Sequence, residues 1–173
     1  LKLCFLFMWF PLPAFTQAIQ PAEPAGIKID RNGILLDGKF YQAQGSGLNP
    51  TLILLHGSPG NPYDVLGIGK AISAQGINAI TFNYSGTHLS QGFLSFPNCL
   101  DDIGAVYSFL KSKDNIEKFG IDTSRIFLSG YSFGGGMAMT YAIKHREITS
   151  VISIAGLDWG EYFEDYLKDP VMK

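Results

Sequence analysis

Residues 125–144 read RIFLSGYSFGGGMAMTYAIK. The opening RIFLSGY is a short apolar run of strand type, and after it Met137, Tyr141 and Lys144 follow Phe133 at helical spacing, which predicts a helix over 133–144. Between strand and helix stands Gly130-Tyr131-Ser132-Phe133-Gly134, a G-x-S-x-G sequence. A glycine inside a helix costs about 1 kcal/mol against alanine, so Gly134, Gly135 and Gly136 at the start of this one are read as a need for space. A tight turn here lifts Ser132 Oγ out of a sheet, where any Cβ at 130 or 134 would collide.

The grammar of that stretch repeats outward along the chain. TLILLHG after Asn49-Pro50, INAITFNY from Ile77 and SVISIAG from Ser150 are further apolar runs of strand length, the first suited to burial on both faces. Between them, helical spacing covers 63–74 and 98–111. Regular alternation of strand and helix implies right-handed crossovers onto a parallel sheet with helices on both faces. Ligands bind at the carboxyl ends of such strands, which directs attention to His56-Gly57-Ser58-Pro59-Gly60, Tyr84-Ser85-Gly86, Ser132 and Asp158-Trp159. Before the parallel part, ILLDGKFY over 34–41 carries Asp37-Gly38 between apolar runs and is read as a hairpin turning at that pair.

At the amino terminus, LKLCFLFMWFPLPAFTQA has a lone Lys2, an apolar run and a small-residue exit at Thr16-Gln17-Ala18. It reads as a secretory signal peptide over 1–18, which implies a secreted or periplasmic protein. The alternative is an N-terminal apolar strand or an anchor. The run from Leu3 to Phe10 is far below the roughly 20 residues of a membrane span. The chain does not begin with Met, so its first residue need not open the reading frame. A linker over 19–26 is expected next, with the folded domain over 27–173. Without Cys4, Cys99 has no intrachain partner and is expected as a buried small hydrophobe. With 46% hydrophobic and 16% charged residues among 173, disorder is excluded and one core is expected. Thirteen Lys plus Arg against fifteen Asp plus Glu, with no basic block, give no electrostatic support for nucleic-acid or anionic-membrane binding.

Ser132 is the candidate nucleophile. The backbone N–H of Phe133, at a helix start, is one candidate donor to an oxyanion. The second is the N–H of Ser58, because Pro59 has none and Gly57 permits close approach. His56 is read either as a substrate contact or as a histidine that braces its loop. His88 and His145 read as ordinary polar positions. Chemistry of this kind uses no metal and no organic cofactor.

LILLHGSPGN, the helix-opening Asp101-Asp102 and GYSFGGG resemble the α/β-hydrolase superfamily from about Ile34 onward. Prolyl oligopeptidase-like and dienelactone hydrolase-like serine hydrolases are the nearest in pattern. The resemblance implies a three-layer α/β-hydrolase fold, an N-terminal hairpin followed by parallel strands with helices on both faces. SIAGLDWGEYFEDY is similar to the segment after the nucleophile in the prolyl oligopeptidase family. Residue by residue, that likeness places Trp159 at a tryptophan, and Tyr162 and Tyr166 at tyrosines that line a proline pocket in the dipeptidyl-peptidase branch. With His56, Tyr131 and Asp158 these make the candidate substrate-binding set. Tyr162 and Tyr166, at i and i+4, read equally as one face of a helix packed on the sheet.

The departures are specific. Tyr131 stands where that family often has Trp, Ser85 where its Tyr-Arg-Gly turn has Arg, and His56 where proline-specific members often place a Tyr. Members of that family carry a propeller domain before the hydrolase, whereas here about a dozen residues are expected between the signal peptide and the first strand. The family's triad runs Ser, acid, His in chain order, yet the single histidine after Ser132 is His145, about 18 Å along the same helix. Asp158 is read as a pocket or loop-capping residue, because the family's acid comes one strand later. The chain is thus expected to be the first part of a longer hydrolase whose acid and base lie beyond Lys173, inactive as it stands. The implied activity is a serine hydrolase acting on an ester or a peptide or amide bond of a small molecule or peptide, with the peptidase-like form favoured. The alternatives are a carboxylesterase and a non-catalytic, hydrolase-like fragment or binding module.

Overall fold

Asn32 and Gly33 both take positive φ, 52° and 85°, and join β1 (Ala25–Arg31) to β2 (Ile34–Tyr41) through a two-residue turn. This computed structural model describes residues 23–58 and 64–168. The signal peptide expected over 1–18 and the linker as far as residue 22 lie outside the described residues, and β1 begins two residues before the expected domain start. The hairpin is present, but the turn expected at Asp37-Gly38 is not. A type I′ turn needs two consecutive residues at positive φ, and Asn-Gly supplies them at the point where Arg31 pairs with Ile34. Asp37 and Gly38 lie inside β2, where a Cβ on Gly38 would stand 2.6 Å from Thr81 O of the neighbouring strand. That glycine marks close approach of two strands.

The neighbouring strand is β4 (Asn78–Phe82), and with β3 (Asn49–Leu55), β5 (Ile121–Tyr131) and β6 (Val151–Ile154) it completes a sheet of order β1-β2-β4-β3-β5-β6. The pairs β1–β2 and β2–β4 are antiparallel, whereas β4, β3, β5 and β6 run parallel. Thr51 to Leu55 are all buried, as the uninterrupted apolar run implied. Period two divides them: Leu52 and Leu54 meet Ile68 and Ile72 of α1 (Ile68–Ser73) on one face. Ile53 and Leu55 join Ile103, Val106, Met137 and Ala138 on the other, from α2 (Phe96–Lys111) and α4 (Phe133–Lys144). Helix, sheet and helix make three layers.

Element ends differ from the sequence reading for local reasons. α1 starts at Ile68 because Leu66 and Gly67 have φ of 57° and 73°, and Asp64 accepts from the N–H groups of Gly69 and Lys70 at 2.8 and 3.0 Å. α2 starts at Phe96, where Ser95 Oγ accepts from Asn98 N–H and Pro97 occupies the first turn. A seven-residue helix, α3 (Lys113–Phe119), follows Lys111 and is too short to show a period. Its Phe119 stacks on Phe40 with centroids 4.2 Å apart. β5 begins at Ile121, and its register against β3 shifts where the Asp122 carboxylate gathers Ser124 and Arg125. α4 has the expected bounds. β6 pairs with β5 and with no other described strand, and Ile152 on it is 58% exposed. α5 (Trp159–Lys168) closes the described chain. Among the described residues no helix is long and apolar enough to cross a membrane.

One buried charge pair ties the hairpin to the rest. Arg31 Nε stands 2.6 Å from Asp102 Oδ1 on α2, an ion-pair distance at which its N–H is not aligned to donate, while its Nη2 donates to Ser85 Oγ at 2.9 Å. Ser85 in turn gives both its N–H and its hydroxyl to Asp102, each at 2.7 Å. The turn after β4 is thereby fixed to the hairpin and to α2.

Candidate active site

β5 ends and α4 begins with one residue between them, Ser132, whose φ of 53° and ψ of −119° are sparsely populated for a side chain bearing Cβ. Such a conformation costs about 1–3 kcal/mol and persists where neighbours over-determine it. Here Ser132 N–H donates to Ile154 O at 2.9 Å and Ser132 O accepts from Gly136 N–H at 3.1 Å. A Cβ on Gly130 would collide with Gly134 O, and one on Gly134 would stand 2.5 Å from both Leu55 O and His56 O. Those two glycines let strand, helix and the end of β3 converge. Ser132 is half-buried at this apex, and no side chain among the described residues is seen to hydrogen-bond its Oγ.

The loop after β3 lies over the apex. The position of a Cβ on Gly57 is 3.2 Å from Ser132 Cβ and 3.3 Å from Tyr131 O. His56, Gly57, Ser58, Tyr84, Thr87, Leu94 and Phe133 together line a cavity of about 210 Å³. The two expected oxyanion donors, Ser58 and Phe133, therefore face one space, and His56 shares it. His56 Nδ1 is 2.7 Å from Gly57 O. A carbonyl only accepts, so Nδ1 carries the proton and Nε2 is bare; Nε2 is buried with no partner among the described residues. Burial holds the imidazole below its ordinary value of 6.5, against the opposing bond to Gly57. A neutral ring packed edge-on to Tyr84, centroids 4.8 Å apart, braces this loop.

Aromatic rings continue from there in edge-to-face contacts. Tyr84 meets Phe133 at 5.5 Å, Phe133 meets Trp159 at 5.2 Å, and Trp159 meets Phe96 at 5.6 Å. Trp159 thus touches the ring that follows Ser132, but it opens onto a different space. With Asp158, Phe96, Gly136, Ile143 and Phe163 it lines an apolar groove along α4 of about 450 Å³. Asp158 Oδ1 accepts from Gly160 and Glu161 N–H at 2.9 and 3.2 Å and so caps α5. Tyr162 packs on Trp159 at 5.5 Å and is 43% exposed. Tyr131 is exposed beside the apex, and the side chain of Tyr166 lies outside the described residues. The structure brings Ser132, Phe133, Ser58 and His56 together and sets Asp158, Trp159 and Tyr162 one ring away.

The other histidines are elsewhere. His88 is exposed in the turn after β4. His145, at the far end of α4, stacks on Tyr141 at 3.7 Å and pairs with Glu147 at 3.1 Å. Cys99 is buried and its thiol is pushed up to about 12, chiefly by burial. No three His, Cys, Asp or Glu side chains gather to hold a metal ion among the described residues. Thr87 and Leu94, which wall the cavity, were not singled out in the sequence; the signal for them was their place in the loop that follows a parallel strand.

Residues 50–172 match the family model described as alpha/beta hydrolase fold. A proline iminopeptidase of Saccharolobus solfataricus is 30% identical over 126 residues, which are 72% of this chain and 38% of that protein. Epoxide hydrolase 3 of Xenopus tropicalis is 27% identical over 164 residues, 93% of this chain and 42% of that protein. The chain spans about two fifths of the length of these curated relatives. Among solved structures, Est1E from Butyrivibrio proteoclasticus with ferulic acid bound superposes with a TM-score of 0.65 at 23% identity, over 75% of this chain and 52% of that one.

Proposed function

The chain belongs to the alpha/beta hydrolase fold family, and on that premise we propose that Ser132 is the nucleophile of a serine hydrolase acting on an ester or amide carbonyl. The observation that carries this reading is the strained Ser132 backbone at the junction of β5 and α4, beside the cavity that Phe133 and Ser58 line. Strain held by close-packed glycines at a cavity mouth is what presents a hydroxyl to a reacting carbon. In the proposed step a bond forms from Oγ to the carbonyl carbon, and the N–H groups of Phe133 and Ser58 stabilise the oxyanion. The bond to the leaving group then breaks, and the Oγ proton ends on the departing alcohol or amine. Water releases the acid from Ser132.

The proton acceptor is not assigned to His56, His88 or His145, none of which hydrogen-bonds Ser132. The proline iminopeptidase relative supports the amide side of the choice. A secreted or periplasmic location is proposed on the pattern of residues 1–18 alone. A hydrolase-like binding module is the second reading. One experiment separates the two: a fluorophosphonate probe applied to the protein expressed from its complete reading frame, continued beyond Lys173, and to its Ser132→Ala variant. Labelling of the parent alone supports the hydrolase. Folded protein with no labelling in either leaves the binding module.

A further inference from the structure

We propose that the cavity walled by Tyr84, Thr87, Leu94 and Phe133 receives the acyl side of the substrate, that it takes a small uncharged group, and that Leu94 sets the length admitted. The proposal rests on Ser132 as the nucleophile, because position is its first support. Phe133 follows Ser132 directly, and the loop bearing Ser58 lies over it, so a carbonyl held at those two N–H groups borders this space.

Size is the second support. A cavity of about 210 Å³ exceeds the roughly 150 Å³ that accepts benzene and falls short of the roughly 300 Å³ at which pockets for drug-sized ligands begin. A phenyl ring or a branched acyl chain of about five carbons fits, and a long acyl chain does not. The wall is not free to yield. Gly86, at φ +75°, lies so close to Leu94 that a Cβ there would be 2.6 Å from Leu94 N. Gly86 N–H donates to Gln91 O at 2.9 Å, and Asn98 Nδ2 holds Phe93 O at 2.9 Å. Ser85 is fixed by Asp102 and Arg31. Leu94 stands 52% exposed at the rim of this braced loop, so a longer chain has to pass its side chain.

Charge is the third. His56 is neutral, with its proton committed to Gly57 O. Burial, with Cys99 and Asp102 close by, keeps the Tyr84 hydroxyl protonated. The Thr87 hydroxyl proton is spent on Tyr84 O at 2.7 Å, and the Asp102 carboxylate on Arg31 and Ser85. No described wall residue offers a counter-charge, so an ammonium or carboxylate entering here loses its water uncompensated.

The test titrates the full chain, with methyl-labelled Leu and Thr, against butyramide, benzamide, decanamide and the cationic prolinamide, followed by NMR. Saturable shifts of the Leu94 and Thr87 methyls with butyramide and benzamide are expected, with prolinamide and decanamide at least tenfold weaker. Leu94→Trp is expected to weaken benzamide at least tenfold, and Leu94→Ala to restore decanamide to within about threefold of butyramide. No shift with any amide, prolinamide as tight as butyramide, or unchanged affinities in both variants overturns the proposal. A parallel labelling, with butyl and decyl fluorophosphonates, of the protein expressed from its complete reading frame reads the nucleophile separately. Methyl shifts without labelling would remove the hydrolase reading and leave the pocket as a binding site.

Discussion

Arg31→Met tests the buried ion pair, and its cost depends on pH in a way that can be worked out beforehand. Arg31 is 10% exposed and Asp102 fully buried, so the variant strands a carboxylate that still accepts two bonds from Ser85. Removing one partner of a buried pair costs about 3–5 kcal/mol. The carboxyl has an escape, because it can take up a proton. From an unfolded value near 3.9, holding it protonated at pH 7 costs about 4 kcal/mol, at about 1.4 kcal/mol per pH unit. That is the ceiling on the loss at pH 7, and at pH 5 it drops to about 1.5 kcal/mol. Burial already holds Asp102 above its ordinary value, with Ser85 and Arg31 opposing it. A raised carboxyl contributes stability that is fully present below its unfolded value and is lost as pH rises toward its folded one; removing Arg31 raises the folded value further, so the variant recovers relative to the parent as pH falls. Urea unfolding of both proteins at pH 5 and pH 7, read by circular dichroism with equal m-values, measures it. A loss below about 1 kcal/mol at pH 7, or an equal loss at both pH values, would refute the argument.

Three further outcomes follow from the same contacts. His56 is held neutral by burial, so the unfolded chain binds its proton first; stability should fall as pH drops below 6.5, and His56→Phe should flatten that part of the urea profile. Gly33→Ala meets no neighbour and should cost about 1 kcal/mol for its φ alone, whereas Gly38→Ala drives a Cβ to 2.6 Å from Thr81 O and should cost about 2–3 kcal/mol; the reverse order in thermal unfolding would return the hairpin turn to Asp37-Gly38. Gly134→Ala should lose about 3 kcal/mol, since its Cβ meets Leu55 O and His56 O at 2.5 Å, and unaltered urea midpoints would contradict the close approach of α4 to β3.

The parallel strands were legible because burial on both faces leaves an uninterrupted apolar run, as from Thr51 to Leu55. The helix after Ser132 was legible to the residue, since glycines and helical spacing abut there. The hairpin turn was read five residues too late, at Asp37-Gly38 instead of Asn32-Gly33. Two Asx-Gly pairs compete in that segment, and the sequence alone does not say which glycine faces a turn and which faces a strand. At the site, Ser132, Phe133, Ser58 and His56 emerge from local pattern, each beside a strand end. Leu94 and Arg31 do not: Leu94 depends on a loop that folds it back against Gly86, and Arg31 on Ser85 and Asp102 far along the chain.

What the sequence by itself determined is the alternation of strand and helix and the apex at Ser132, both of which rest on short-range sterics and burial period. Tertiary structure alone decided the rest. It buried His56 edge-on against Tyr84, turned Trp159 toward a groove along α4 instead of the cavity, and closed that cavity with a loop clamped by an ion pair from the hairpin. Those outcomes come from contacts between segments distant in the chain, and such contacts form only when the whole sheet brings its strand ends together.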